Sequence, residues 1–205
     1  MLYIDLQIPE NNSSKIKSKI VSGVKNNFII LSQKSKFSFR TVEPLVDYLE
    51  ELLEYICDYA EVVGSFRRQK SKIGDLEVLV IGCEISDVID EIRDDEYISL
   101  DSKRWEGKTK AAYIVSVEDL GIENLQLEVY KTYKDSLGAS RLTRTGPSEL
   151  NIYMRKLAKR KKMKLNEYGL YNKDGKKLAG KTEKSIFNKL GMDYLTPKQR
   201  QKEFG

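Results

Sequence analysis

Gly64-Ser65-Phe66-Arg67-Arg68, followed by Gly74-Asp75-Leu76-Glu77-Val78-Leu79-Val80, is the stretch that decides the fold. Val62 and Val63 lead into it as an extended apolar segment, the Gly-Ser pair turns the chain, and two arginines follow. A second glycine then opens an apolar strand that carries alternate acids. Side chains on a strand alternate between faces, so Asp75 and Glu77 point the same way. Two carboxylates held side by side repel each other unless a cation neutralises them. Beside a Gly-Ser turn and an arginine pair, that cation would adjoin a site for an anionic, phosphate-bearing ligand. The layout is that of a metal-dependent nucleotidyl-transfer centre.

Upstream of the motif, Leu45, Leu49, Leu52, Leu53, Ile56 and Tyr59 recur at helical spacing and predict a helix over 44–60, with Pro44 near its first turn. Downstream, the strand over 75–82 is followed by an amphipathic helix over 87–93 and strands over 97–100, 111–117 and 125–130. The last of these, Gln126-Leu127-Glu128-Val129-Tyr130, presents a third acid between core-type neighbours. A lone glutamate on a strand is ordinarily solvated. With Asp75 and Glu77 already paired, Glu128 becomes a candidate third member of the same metal site.

The composition narrows the chemistry further. There is no histidine among the 205 residues, which removes histidine zinc sites, Ser-His triads and histidine general bases. Asp5, Pro9 and Glu10 interrupt the first twenty residues, and no apolar run approaches a membrane span, so neither a signal peptide nor a membrane contact is expected. Two cysteines, Cys57 and Cys83, are too few for a disulfide framework; they are expected as free thiols in apolar surroundings, within a reducing compartment, cytoplasmic or nuclear.

Charge divides the chain into three parts. Residues 1–43 carry seven basic and three acidic groups, residues 44–136 eleven and twenty-two, and residues 137–205 eighteen and six. An acidic middle suited to metals thus adjoins a basic tail suited to a polyanion. In the first part, Ser13 and Ser14 would cap a short helix through Val24, and 28–31 would form a strand. In the last part, Ser148 and Glu149 open an amphipathic helix (Leu150, Ile152, Tyr153, Met154, Leu157, Ala158) that ends in Lys159-Arg160-Lys161-Lys162, with Lys164 beyond. The helix dipole alone favours cations at that end, so a structural reading stands beside nucleic-acid binding. A strand pair over 165–178 around Asn172-Lys173-Asp174-Gly175, a helix over 184–190 and a tail opened by Pro197 complete the chain.

The motif from Gly64 to Glu77 resembles the palm signature of the DNA polymerase X family. An independent set of residues resembles that family's thumb: Thr145-Gly146-Pro147-Ser148, the helix through Arg155, the run from Lys164 to Tyr171, Ala179-Gly180-Lys181-Thr182-Glu183, Leu190-Gly191-Met192, and Pro197 to Arg200. The similarity runs from about residue 36 to the end. It implies an α+β fold in which a nucleotidyltransferase palm over 44–136, a mixed sheet with flanking helices, is followed by a small basic α/β thumb over 137–205. Residues 1–43 would form an N-terminal segment outside both.

The resemblance also implies a reaction: transfer of a nucleoside monophosphate from a triphosphate to a primer 3′ hydroxyl on gapped or primed DNA. Two Mg²⁺ ions, with Mn²⁺ as a substitute, would be held by Asp75, Glu77 and Glu128. By position, Ser65, Arg68 and Lys36 would contact the triphosphate, Gly64 and Gly74 would allow close backbone approach, and Gly146 and Asn151 would face the incoming nucleotide. Arg155 would reach the template minor groove, with Lys159, Arg160, Lys161, Lys162 and Lys164 on DNA. The family usually carries three aspartates where this chain has one aspartate and two glutamates. Thr143-Arg144 stands where the family often has Tyr-Phe against the nucleotide sugar, which puts discrimination against ribonucleotides in question. The segment before the palm is too short for the family's lyase domain, as in its shortest viral members, and a monomer is expected. The competing readings are a template-independent or ribonucleotide-adding transferase, and a nucleic-acid-binding module whose catalytic site has decayed.

Overall fold

The computed structural model describes residues 35–205, so the helix expected through Val24 and the strand expected over 28–31 lie outside the described residues. Strand β1 (Phe37–Ser38) runs straight into helix α1 (Phe39–Glu54), where the Ser38 hydroxyl caps the helix by accepting the Thr41 N–H at 3.1 Å. Pro44 therefore stands inside this helix rather than near its first turn, and Tyr59 belongs to the strand that follows, not to the helix. The spacing of Val42, Leu45, Val46, Leu49 and Leu53 nevertheless makes one buried face, as the periodicity requires.

Strand β2 (Tyr59–Val62), the single-turn helix α2 (Gly64–Arg67) and strand β3 (Lys72–Ile73) lead to strand β4 (Asp75–Ile81). Helix α3 (Ile85–Asp94), strands β5 (Ser99–Gly107) and β6 (Lys110–Val117), a short 3₁₀ turn (Glu118–Leu120) and strand β7 (Ile122–Lys131) follow. The five-stranded sheet has the order β2-β4-β7-β6-β5, with β4 and β7 parallel and the remaining pairs antiparallel. A parallel neighbour requires a crossover, and helix α3 together with the β5–β6 hairpin supplies it.

The two faces of this sheet differ. Leu76, Val78, Val80, Leu127 and Val129 point toward α1 and α3 and join the main core. Asp75, Glu77 and Leu79 share the other face with Gln126, Glu128 and Tyr130.

Cys57 and Cys83 are bonded to each other, not free, with their Cα atoms 4.9 Å apart. The sheet register explains the correction. Tyr59 pairs with Ile81 in the antiparallel β2–β4 ladder, so continuing that register two residues outward brings Cys57 opposite Cys83. Counting cysteines could not foresee a neighbour pair created by strand pairing, and the bond removes the free-thiol argument for a reducing compartment.

Beyond the sheet come helices α4 (Leu137–Thr145) and α5 (Ser148–Arg160), then strands β8 (Lys164–Asn166), β9 (Gly169–Tyr171) and β10 (Lys177–Ala179) in one antiparallel sheet. Helices α6 (Glu183–Leu190) and α7 (Pro197–Phe204) close the chain. The expected strand pair is thus a three-stranded sheet. Thr182 caps α6 and a Thr196–Gln199 capping box starts α7, which explains why both helices begin where they do. A second core gathers Ala139, Leu142, Leu150, Met154, Phe187 and Leu190, while Ile152 and Tyr153 on α5 stay on the surface. No helix among the described residues is long and apolar enough to cross a membrane.

Candidate active site

The parallel pairing of β4 with β7 matches Asp75 to Gln126 and Glu77 to Glu128. Adjacent strands lie about 4.8 Å apart, so Glu77 and Glu128 are direct cross-strand neighbours, with Asp75 two residues along the same face. Burial, and then the charges of Asp75 and Glu128, push the Glu77 carboxyl up to about 7, while Arg144 and Arg68 pull the other way. Its carboxylate lies against the Gly64 turn: a Cβ at Gly64, where φ is +66°, would stand 2.3 Å from Glu77 Oε2. Only glycine fits there. Glu128 turns instead along its own strand, its two oxygens accepting from Gln126 Nε2 and from the Tyr130 hydroxyl.

Helix α2 carries the phosphate-type residues. The Ser65 hydroxyl is buried and has no hydrogen-bond partner. The two arginines of the motif diverge. Arg67 turns away from the carboxylates and grips Glu183 with both Nη atoms at 3.0 and 2.9 Å, adding the Thr145 hydroxyl at 2.8 Å. Arg68 stays on the carboxylate side, where Nε donates to Gln201 Oε1 at 2.8 Å and Nη1 to the Thr145 carbonyl. Burial lowers the Arg68 guanidinium from its ordinary value, against the pull of Glu77 and Asp75.

A cleft of about 380 Å³ opens beside Arg68, lined also by Lys70, Gly146, Asn151 and Gln201 among others. A Cβ at Gly146 would lie 3.5 Å from Arg68 Nη1 and 3.8 Å from Asn151 Nδ2, so those three expected nucleotide contacts do converge. Asn151 donates its amide to the Thr143 carbonyl at 2.8 Å. Lys36 lies along Gly74, its Cγ 3.5 Å from where a Cβ would be, and so flanks the start of β4. A larger concavity of about 970 Å³ lies elsewhere, beside Asp95, Asp101, Glu118 and Glu123, and its acidic lining repels a phosphate-bearing ligand.

Thr143 and Arg144, the pair expected at the nucleotide sugar, both line the cleft beside Arg68, and Arg144 has further partners. Its guanidinium lies 3.6 Å over the Tyr130 ring and pairs with Glu167 Oε2 at 2.8 Å. Arg155, Lys159, Arg160, Lys161, Lys162 and Lys164 are all exposed, along α5 and the segment leading from it into β8.

Two further groups escaped the reading of the sequence. Glu183 is 5% exposed and Arg200 fully buried; they pair at 2.7 Å, and Tyr194 also donates to Glu183 at 3.2 Å. Burial alone would raise the Glu183 carboxyl, but hydrogen bonds from Arg67 and Arg200 outweigh it and hold it at about 2. No local pattern announces such a hub, because Arg67 lies 116 residues from Glu183 and Arg200 a further 17 beyond it. The β5–β6 hairpin carries Lys103, Arg104, Lys108 and Lys110, a basic projection within the acidic part of the chain. A charge count over a shorter window would have found it.

Three carboxylates with no histidine or cysteine make a hard oxygen donor set, and the raised Glu77 carboxyl marks negative charge that a divalent cation would relieve. The donor chemistry fits Mg²⁺. Among the described residues, however, no three ligand-type side chains stand grouped so as to hold a metal ion, because Glu128 is drawn along its strand by Gln126 and Tyr130.

Comparison with known proteins bears on up to 81% of the chain. Residues 140–201 match the family model of the DNA polymerase beta thumb. The chain is 28% identical over 158 residues to repair DNA polymerase X of African swine fever virus, covering 75% of this chain and 88% of the viral protein. It is 30% identical to rat DNA polymerase lambda over 67% of this chain, which corresponds to 28% of that longer protein. Two crystal structures of Leishmania infantum polymerase beta share the fold, with TM-scores of 0.69 for a ternary primer–template complex and 0.71 for a ternary gap complex. They are 19% and 18% identical, each covers 81% of this chain, and the match takes in 77% and 71% of those chains. With the thumb recognised by its own model and the palm sheet bearing acids on paired strands, this chain belongs to DNA polymerase family X.

Proposed function

We propose that this chain is a nucleotidyltransferase of the gap-filling type: it adds nucleoside monophosphates to the primer 3′ hydroxyl of gapped or primed DNA, as a monomer built of palm and thumb. One observation carries the reading. Asp75, Glu77 and Glu128 share one face of two paired strands, beside a buried, unpartnered Ser65 hydroxyl and the Arg68 guanidinium. Asp75, Glu77 and Glu128 would hold two Mg²⁺ ions, which supply Lewis-acid activation of the primer hydroxyl and charge neutralisation on the departing pyrophosphate.

The protein's own groups do the rest. Ser65 offers a hydroxyl with no competing partner to a phosphate oxygen. Arg68 offers a partly desolvated guanidinium, and charge-assisted hydrogen bonds from such a group are the stronger kind. Lys36 flanks the same end of β4. Gly146 and Asn151 form the wall against which the nucleotide rests, and Glu128 takes the primer side. The basic surface from Arg155 to Lys164, together with Lys103, Arg104, Lys108 and Lys110, neutralises DNA phosphates.

Primer extension tests the reading: labelled primer on gapped template, Mg²⁺ or Mn²⁺, and each deoxyribonucleotide or ribonucleotide triphosphate singly. Template-matched extension by the wild type, abolished in Asp75→Asn, is the expected result. Extension of a single strand, or equal use of ribonucleotides, would replace it with the template-independent reading. DNA binding with no extension by wild type or variant would leave only a binding module.

A further inference from the structure

A further cleft, of about 460 Å³, opens on the three-stranded sheet, lined by Lys162, Met163, Lys164, Asn166, Tyr171 and Lys173 among others. Leu165 and Leu170 turn inward to the second core, so their neighbours Lys164 and Tyr171 share the opposite face. Lys164 stands directly across from Tyr171 in the β8–β9 ladder. The same register, carried two residues outward, brings Lys162 and Lys173 to one end of that pair, and Asn166 lies at the other. Three cations thus gather around one aromatic ring.

Their charge is not neutralised. Lys131, Lys134 and Lys177 pair with acids, whereas among the described residues no acid pairs with Lys162, Lys164 or Lys173. Asp174, in the adjoining turn, instead accepts from Asn172 Nδ2 at 3.3 Å. Asn166 Oδ1 accepts the Tyr168 and Gly169 N–H groups at 2.9 and 3.1 Å, which leaves its amide N–H donors for a ligand. Uncompensated cations around an aromatic face suit a flat ring carried on phosphates. A paired base is shut inside its duplex, so an unpaired nucleotide is the form that offers both parts. Helix α5 connects this cleft to the nucleotide cleft, since Asn151 near its start lines one and Lys162 just past its end lines the other. A rise of about 1.5 Å per residue separates them by about 17 Å along the helix. That is the length of about five stacked nucleotides at about 3.4 Å each, so one strand reaches both.

We propose that this cleft binds a nucleotide of single-stranded DNA, with its base on Tyr171 and the phosphates on Lys162, Lys164 and Lys173. The strand is an unpaired stretch of the DNA on which the cleft at the other end of α5 acts. The proposal deepens the reading of this chain as a DNA-extending enzyme and rests on it for the source of the strand. It gives Tyr171 and Lys173 a task, and it makes Lys162 and Lys164 part of a site that distinguishes single strands from duplex.

The test uses the full chain with Tyr171→Ala, Tyr171→Phe and Lys173→Ala. Binding of a labelled oligothymidylate of about ten nucleotides, and of a blunt duplex, is followed by fluorescence anisotropy over a range of salt, with primer extension measured in parallel. Losing one base–aromatic stack typically weakens binding by about 5-fold or more. Tyr171→Ala is expected to weaken single-strand binding by that factor and to leave duplex binding at the wild-type level. Tyr171→Phe, which keeps the ring, should bind both as the wild type does. Lys173→Ala should flatten the single-strand plot of log K against log salt by about 0.7. Melting temperatures show whether Tyr171→Ala is folded; if it is not, the salt slope of Lys173→Ala decides, because that side chain is exposed in a turn. Wild-type single-strand binding by folded Tyr171→Ala overturns the proposal, as does an equal loss on single strand and duplex, or an unchanged slope in Lys173→Ala. A wild type that binds the single strand as expected but extends no primer refutes the polymerase reading and leaves the site standing, so the two failures are distinct.

Discussion

Glu183→Gln is the substitution with the most sharply defined cost. The Glu183 carboxylate is buried between Arg67 at 2.9 and 3.0 Å and Arg200 at 2.7 Å, with Tyr194 as a third donor. Folding lowers its carboxyl from 4.5 to about 2, so the charged form is favoured in the folded state by about 3 kcal/mol, at 1.36 kcal/mol per unit. Because the folded value is the lower one, this stabilisation is fully present above pH 4.5 and fades as the pH falls from there toward 2. An amide at the same position leaves the buried Arg200 guanidinium without a counter-charge and leaves Arg67 with Glu61 alone at 3.2 Å, a change that typically costs about 3–5 kcal/mol. The two figures agree. At pH 7 the variant should therefore unfold at lower urea with a loss of about 3 kcal/mol, and the gap to wild type should about halve by pH 3. Urea titrations at pH 7, 5, 4 and 3, followed by far-ultraviolet circular dichroism and by the single Trp105, measure it directly. A loss under 1 kcal/mol at pH 7, or a gap that stays constant down to pH 3, would refute the reasoning. Since Arg67 belongs to the same helical turn as Ser65 and Arg68, the variant should also bind nucleotide more weakly than its stability alone explains.

Reducing the Cys57–Cys83 bond, or replacing both cysteines by alanine, should lower stability by about 3.5 kcal/mol, the loop-entropy value for a separation of 26 residues, and leave the rate of primer extension intact. Replacing exposed Lys159 and Arg160 by alanine should weaken DNA binding evenly across sequences and flatten the plot of log K against log salt by about 0.9 for each phosphate left without its cation. In Gln201→Ala, Arg68 Nε no longer has an internal acceptor competing with the triphosphate; removing one hydrogen bond of about 1 kcal/mol should lower the KM for nucleotide about fivefold at unchanged kcat.

What the sequence disclosed follows from the range of the forces involved. The strand bearing Asp75 and Glu77, the helical face of Leu45, Leu49 and Leu53, and the start of α6 beside Thr182 depend on neighbours within a few residues, and all could be read there. Pro44 misled because its usual place is a first turn, whereas Ser38 supplies a cap further upstream. The pairing of Cys57 with Cys83, of Glu183 with Arg67, and of Arg144 with Tyr130 requires the register of strands or the meeting of two cores. No short window along the chain contains both partners. The motif itself hid one ambiguity of this kind: its two arginines are adjacent in sequence, yet one faces the carboxylates and the other braces the second core.

The two glutamates that set this chain apart within its family acquire a physical account from the same long-range contacts. Each places its carboxylate one methylene farther from the strand than aspartate would. At Glu77 the extra reach runs under the Gly64 turn, where a positive φ and the absence of a Cβ leave room that no other residue would leave. At Glu128 it brings the oxygens level with Gln126 Nε2 and the Tyr130 hydroxyl, whose ring lies under Arg144. Shortening either acid to aspartate is then not a return to a more competent site. Glu128→Asp should abandon both donors, and Glu77→Asp should leave a void beneath Gly64 in a buried region. A decayed site accumulates changes without compensation, whereas here each longer acid meets a neighbour that fits its length.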